Sequence, residues 1–130
     1  MNKEAQNWLA SANYDLETAR HMQTTGRYIY VIFMCHLAIE KGLKAIVCES
    51  TNAAPPRTHN LLVLMQSATI ILEPRLDTFV RNLSHASVAT RYPEDPSKLS
   101  AQFTEAIAKS HMEQTEEIIK CLKSDPRLKP

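Results

Sequence analysis

His36, Glu40 and Lys44 recur at four-residue intervals in CHLAIEKGLKAI (residues 35–46), with Lys41 beside them. On a helix that spacing stacks the three side chains in one column. Two uses are open to such a column. It can be a solvated face, with a Glu40–Lys44 pair worth about 0.3–0.5 kcal/mol. Or it can line the mouth of a cleft, where Lys44 meets a phosphate and Glu40 orients it. His36 and Glu40 also have the spacing of two metal ligands. The other histidines (His21, His59, His85 and His111) sit singly on other segments, short of the three or four ligands a site needs, and no metal is expected.

Two further groupings could act on a phosphate. Arg81 and His85 are four apart and share a helix face. Such a pair can clamp a phosphoryl group with the arginine and move a proton with the histidine. Arg91 and Tyr92 precede Pro93, where the guanidinium could meet a phosphate and the ring a base. The plainer alternatives are two ordinary helix-surface residues and a helix-ending turn with Tyr92 packed on the fold.

The elements that must position these residues are helical. Ala5, Leu9, Ala12, Leu16 and Ala19, extended by Trp8, form a helical stripe over about Lys3–Gln23, which Gly26 ends. A second helix is expected over about Arg27–Glu49. Eleven of the twelve residues in Tyr28–Ile39 are apolar, so this helix must be covered all round, at the centre of the fold or at a subunit interface. Pro55-Pro56 marks a loop, and Thr58 or Asn60 caps a third helix carrying Leu61, Leu62, Leu64, Met65 and Ala68. Pro74 is either a kink or the first turn of a fourth helix with Leu76, Phe79, Val80, Leu83 and Ala86 on one face. TRYPEDPSK reads as a loop. A last helix over about Ser97–Lys123 is expected to bury Phe103, Ile107, Ile118 and Leu122, with Pro126 closing it. The expected fold is all-α: an up-and-down antiparallel bundle of four long helices plus a shorter fifth, as a single domain over residues 1–130.

Composition narrows the function. With 130 residues, 44% hydrophobic and 22% charged, the chain can build a core without staples. Two glycines leave no Gly-rich phosphate cradle, and no cofactor is expected. A formal charge of +1 gives no global field for nucleic acid, although a local patch is compatible with it. Cys35, Cys48 and Cys121 form neither a zinc motif nor a disulfide framework, and MNKEAQNWLASANYDLETAR lacks a leader's apolar core. A cytoplasmic protein with no membrane span is expected.

Three stretches, taken in order, resemble the HEPN family (higher eukaryotes and prokaryotes nucleotide-binding domain). They are Ala12-Asn13-Tyr14-Asp15-Leu16 with Ala19, Gly26 and Tyr28; His36 through Ala45 with Thr58-His59-Asn60-Leu61; and Thr90-Arg91-Tyr92-Pro93. The resemblance implies a five-helix bundle, commonly a homodimer, acting with a small nucleotidyltransferase in a toxin–antitoxin-like pair. It implies a nucleotide- or RNA-binding cleft built by Glu40, Lys41 and Lys44, with His59, Arg91 and Tyr92 approaching from the following loops. The RNA-cleaving branch of the family places four to six residues between an arginine and a histidine. Arg81 and His85 enclose only three. A non-catalytic binding module is therefore the favoured expectation. A metal-independent endoribonuclease using Arg81 and His85 is the alternative.

Overall fold

The apolar run Tyr28–Ile39 does form a helix, and it is the one around which the others gather. The computed structural model describes residues 1–91 and 95–128, with the backbone alone at 88–91 and 96. Among them are α1 (Lys3–Thr24), α2 (Tyr28–Thr51), α3 (Leu61–Ala68), α4 (Pro74–Arg91), α5 (Pro96–Gln102) and α6 (Glu105–Lys123), closed by a 3-10 turn at Pro126–Leu128. The long helices are α1, α2, α4 and α6, and no strand occurs among the described residues. No helix is long and apolar enough to cross a membrane, again among the described residues.

Local chemistry sets the boundaries. Asn2 caps α1 by accepting from the Ala5 amide, and its amide nitrogen donates to the Cys48 carbonyl, joining the start of α1 to the last turns of α2. Gly26 turns the chain between them at φ +77°, a left-handed conformation that suits glycine. Asn52 ends α2 in the same region, where asparagine is tolerated. Asn60 caps α3 through the amides of Leu62 and Val63. Pro74 is the first residue of α4, where a missing N–H costs nothing, and so it makes no kink.

α2 packs against α1, α3, α4 and α6. Its Val31, Ile32, Cys35, Ala38, Ile39, Leu43 and Ile46 are buried in one hydrophobic cluster with Leu16 and Ala19, Leu61 and Leu64, Val80 and Leu83, and Ile118 and Leu122. Gly42 admits α6: a Cβ built there would lie 3.0 Å from Leu122 Cδ1.

Three expectations fail in whole or in part. The single last helix is broken at Phe103-Thr104, giving α5 and α6. Phe103 leaves helical geometry, and the Thr104 hydroxyl accepts from the Ile107 amide to start α6 afresh. Ile107 is not core but 40% exposed. The buried stripe of α6 runs through Ala108, Met112, Thr115, Ile119 and Leu122, and Ile107 lies about 100° of helix rotation from Ala108. In TRYPEDPSK, α4 continues through Arg91 and α5 begins at Pro96, while Tyr92–Glu94 lie outside the described residues.

Candidate functional site

The polar column is inside the protein. His36, Glu40 and Lys44 are all buried, Glu40 to 3% exposure. The solvated-face alternative fails: all three are buried, with Trp8 of α1 against Lys44 and His59 against Glu40. Glu40 is the hub. Its Oε2 accepts from Lys44 Nζ at 3.1 Å, and its Oε1 lies 3.7 Å from His36 Nδ1. His59 reaches it from the loop before α3, placing Nδ1 3.0 Å from Oε1 and 3.1 Å from Oε2. That histidine is held beside its carboxylate by local structure: Thr58 accepts from the Asn60 amide, and Asn60 then caps α3.

α1 supplies the rest of the wall. The Lys44 ammonium sits 5.2 Å from the centre of the Trp8 ring, within cation–π range. Lys41 Nζ forms an ion pair with Asp15 Oδ2 at 2.7 Å, a second pair next to the first, between a buried carboxylate and a half-buried ammonium. Burial removes the water that would satisfy these charges, so each is balanced by a partner: Glu40 and Lys44 within α2, Lys41 and Asp15 across α2 and α1. The result fixes the register of α1, α2 and the 59–60 segment. It leaves two basic groups in contact with solvent: Lys41 at its edge and His59, whose side chain is 66% exposed. Glu40, Lys44 and His59 are thus brought together, with Lys41 one helix position away. Arg91 lies at the last turn of α4 with its side chain undescribed, and Tyr92 lies outside the described residues.

Asp15 and Trp8 are additions to the expected site residues. A signal for Asp15 exists in the sequence: it stands three residues after Ala12 and four before Ala19, on the buried face of α1, where a charge needs a partner. Trp8 reads equally well as plain core, which hides its second role.

Arg81 and His85 take a different place. Both are exposed on α4, and the Arg81 guanidinium donates to Asp77 Oδ2 at 2.8 Å, one turn back and away from His85. Arg81 also borders an open hollow of about 340 Å³, together with Leu62, Met65, Ile70 and Ile71. No group of three or more His, Cys, Asp or Glu side chains is placed to hold a metal among the described residues.

The all-helical architecture is shared with solved structures. The chain is similar to TT1696 from Thermus thermophilus, at a TM-score of 0.77 and 19% identity, covering 94% of this chain and 98% of that one. It is also similar to ST0689, described as an archaeal HEPN homologue, at a TM-score of 0.72 and 22% identity, covering 94% and 97%. At such identities the likeness establishes the fold. The family model of the HEPN domain matches residues 5–125, nearly the whole length, and the chain belongs to the HEPN family. No curated protein sequence matches it.

Proposed function

We propose that this chain is a nucleotide- or RNA-binding HEPN module that works as a homodimer and beside a small nucleotidyltransferase, in a toxin–antitoxin-like pair. The observation that carries the proposal is the Glu40 cluster. A carboxylate buried to 3% exposure holds an imidazole that is itself 66% exposed. The register of α1 on α2 is served by the Asp15–Lys41 pair, and Glu40–Lys44 lies within α2. A histidine anchored from below and open above has the form of a ligand contact.

In this mechanism His59 meets a base or ribose, and Lys41 with Arg91 meets phosphate, with Tyr92 adding a stacking ring. Glu40 and Lys44 form the support. Lys44 is paired and lies under Trp8, so it reaches a phosphate only if that ring moves. The homodimer is supported by α2: Tyr30 is 55% exposed, and Phe33, Met34 and Leu37, further along the helix, are only half-buried. Sedimentation equilibrium tests this, with a Tyr30→Glu variant expected to shift the chain toward monomer.

The endoribonuclease alternative keeps Arg81 and His85 on the solvent face of α4, with Arg81 committed to Asp77. Incubation with single-stranded RNA and chelator separates the two. Intact RNA agrees with the binding module, whereas cleavage lost in His85→Ala assigns the protein to the nuclease branch.

A further inference from the structure

The contact between His59 and Glu40 fixes more than a position. An ionised carboxylate can only accept hydrogen bonds. The ring nitrogen lying 3.0 and 3.1 Å from its two oxygens is Nδ1, so Nδ1 is the nitrogen that carries hydrogen. A neutral imidazole has one N–H. Placing it on Nδ1 leaves Nε2, across the ring, with a free lone pair. Among the described residues, the other charged or titratable groups paired with this carboxylate are Lys44 at 3.1 Å and His36 at 3.7 Å, both from α2. The basic groups around Glu40 thus leave it acting as an acceptor toward His59.

We infer that Glu40 is a positioning residue that holds His59 in the Nδ1–H tautomer, so that the exposed Nε2 accepts a hydrogen bond from a ligand's donor group. While the ring is neutral, the group His59 takes is then a base amino or imino N–H or a ribose hydroxyl rather than a phosphate oxygen. Phosphate falls to the cations outside this pair. The ligand half of the inference rests on the nucleotide-binding proposal; the tautomer half does not.

The test has two arms, both on the full chain. In the first, long-range ¹H–¹⁵N NMR on histidine-labelled protein reads the tautomer at about pH 8, above the ordinary imidazole range. His59 is expected to show protonated Nδ1 and bare Nε2. His21 serves as the internal reference, because its Nε2 faces Glu17 at 3.5 Å. Glu40→Gln, which replaces the ionic acceptor by an amide, is expected to move His59 toward the Nε2–H form. A wild-type His59 already protonated on Nε2 overturns the inference, and this reading stands even where the variant does not fold.

In the second arm, at the same pH, adenosine and inorganic phosphate are titrated separately into wild type and His59→Ala. One lost hydrogen bond is expected to weaken adenosine by up to about tenfold and leave phosphate unchanged. Weakened phosphate with unchanged adenosine overturns the ligand assignment. Protonated Nδ1 with no adenosine binding to wild type contradicts the nucleotide-binding proposal, and the ligand half of the inference falls with it.

Discussion

His59 and Glu40, nineteen residues apart, meet with the imidazole Nδ1 within 3.1 Å of both carboxylate oxygens. The loop after α2 is thereby tied to the middle of α2. The carboxylate also carries Lys44 and lies near His36, so its loss strands a buried ammonium.

Glu40→Ala is therefore expected to lower the unfolding free energy by about 3–5 kcal/mol, the usual cost of breaking a buried ion pair from one side. His59→Ala, at an exposed position, is expected to cost less than about 1 kcal/mol. Urea denaturation curves of equal slope would measure both. A Glu40→Ala curve lying on that of wild type contradicts the buried-pair description.

Cys35 is enclosed between α2 and α6, 3.8 Å from the Met112 sulfur. Burial pushes its thiol up from 9.0 to about 12. The folded form then keeps a proton that the unfolded chain releases, so stability is expected to fall as pH rises from about 9 toward 12. Alkylation of the native protein is expected at the exposed Cys121, with the buried Cys35 and Cys48 reacting only after unfolding. Mass spectrometry of the labelled peptides checks this.

Gly42 lets α6 approach α2. The clash of a new Cβ with Leu122 Cδ1 at 3.0 Å worsens with a branched side chain, and Ile119 Cδ1 follows at 3.6 Å. Gly42→Val is expected to cost about 1–3 kcal/mol through overpacking. Thermal unfolding would show it as a lowered midpoint.

Arg127 joins the closing turn to α3. It donates to the Ala68 carbonyl at 2.6 Å and the Thr69 hydroxyl at 3.1 Å, while its other nitrogens reach both oxygens of Asp125 at 2.9 Å. These bonds hold the Asp125 carboxyl below its ordinary 3.8. Their contribution is present above that value and lost as pH falls through the lowered one. Arg127→Ala is expected to cost about 1.5–3 kcal/mol, to remove this part of the acid dependence, and to speed amide exchange in Leu61–Ala68.

Much of the fold is legible in the sequence because its signals are local. The stripe Ala5–Ala12–Leu16–Ala19, the turn at Gly26 and the cap at Asn60 each act within one helical turn and place α1, α2 and α3 nearly to the residue. The break before α6 escapes such a reading because Phe103-Thr104 carries neither glycine nor proline. A threonine in a periodic stretch reads as interior until a hydroxyl-to-amide bond is seen. The column at His36, Glu40 and Lys44 is legible as a column but not as a buried one. Its burial involves Trp8, which meets Lys44 only after α1 folds back, and His59, which reaches Glu40 from the loop before α3. Residue type does not decide between solvent and cleft, since the deciding partner lies on another helix.

The central claim, that the Glu40-anchored cluster serves nucleotide or RNA recognition, is tested most directly by calorimetric titration. ATP, GTP and a short single-stranded RNA would be added to the purified protein at low and moderate salt with chelator present. Saturable binding that weakens with salt, and weakens again in His59→Ala and Lys41→Ala while both variants stay folded, is the expected result. No saturable binding of any of the three ligands, or binding untouched by both substitutions, would contradict it and leave the cluster as an internal brace between α1, α2 and the 59–60 segment.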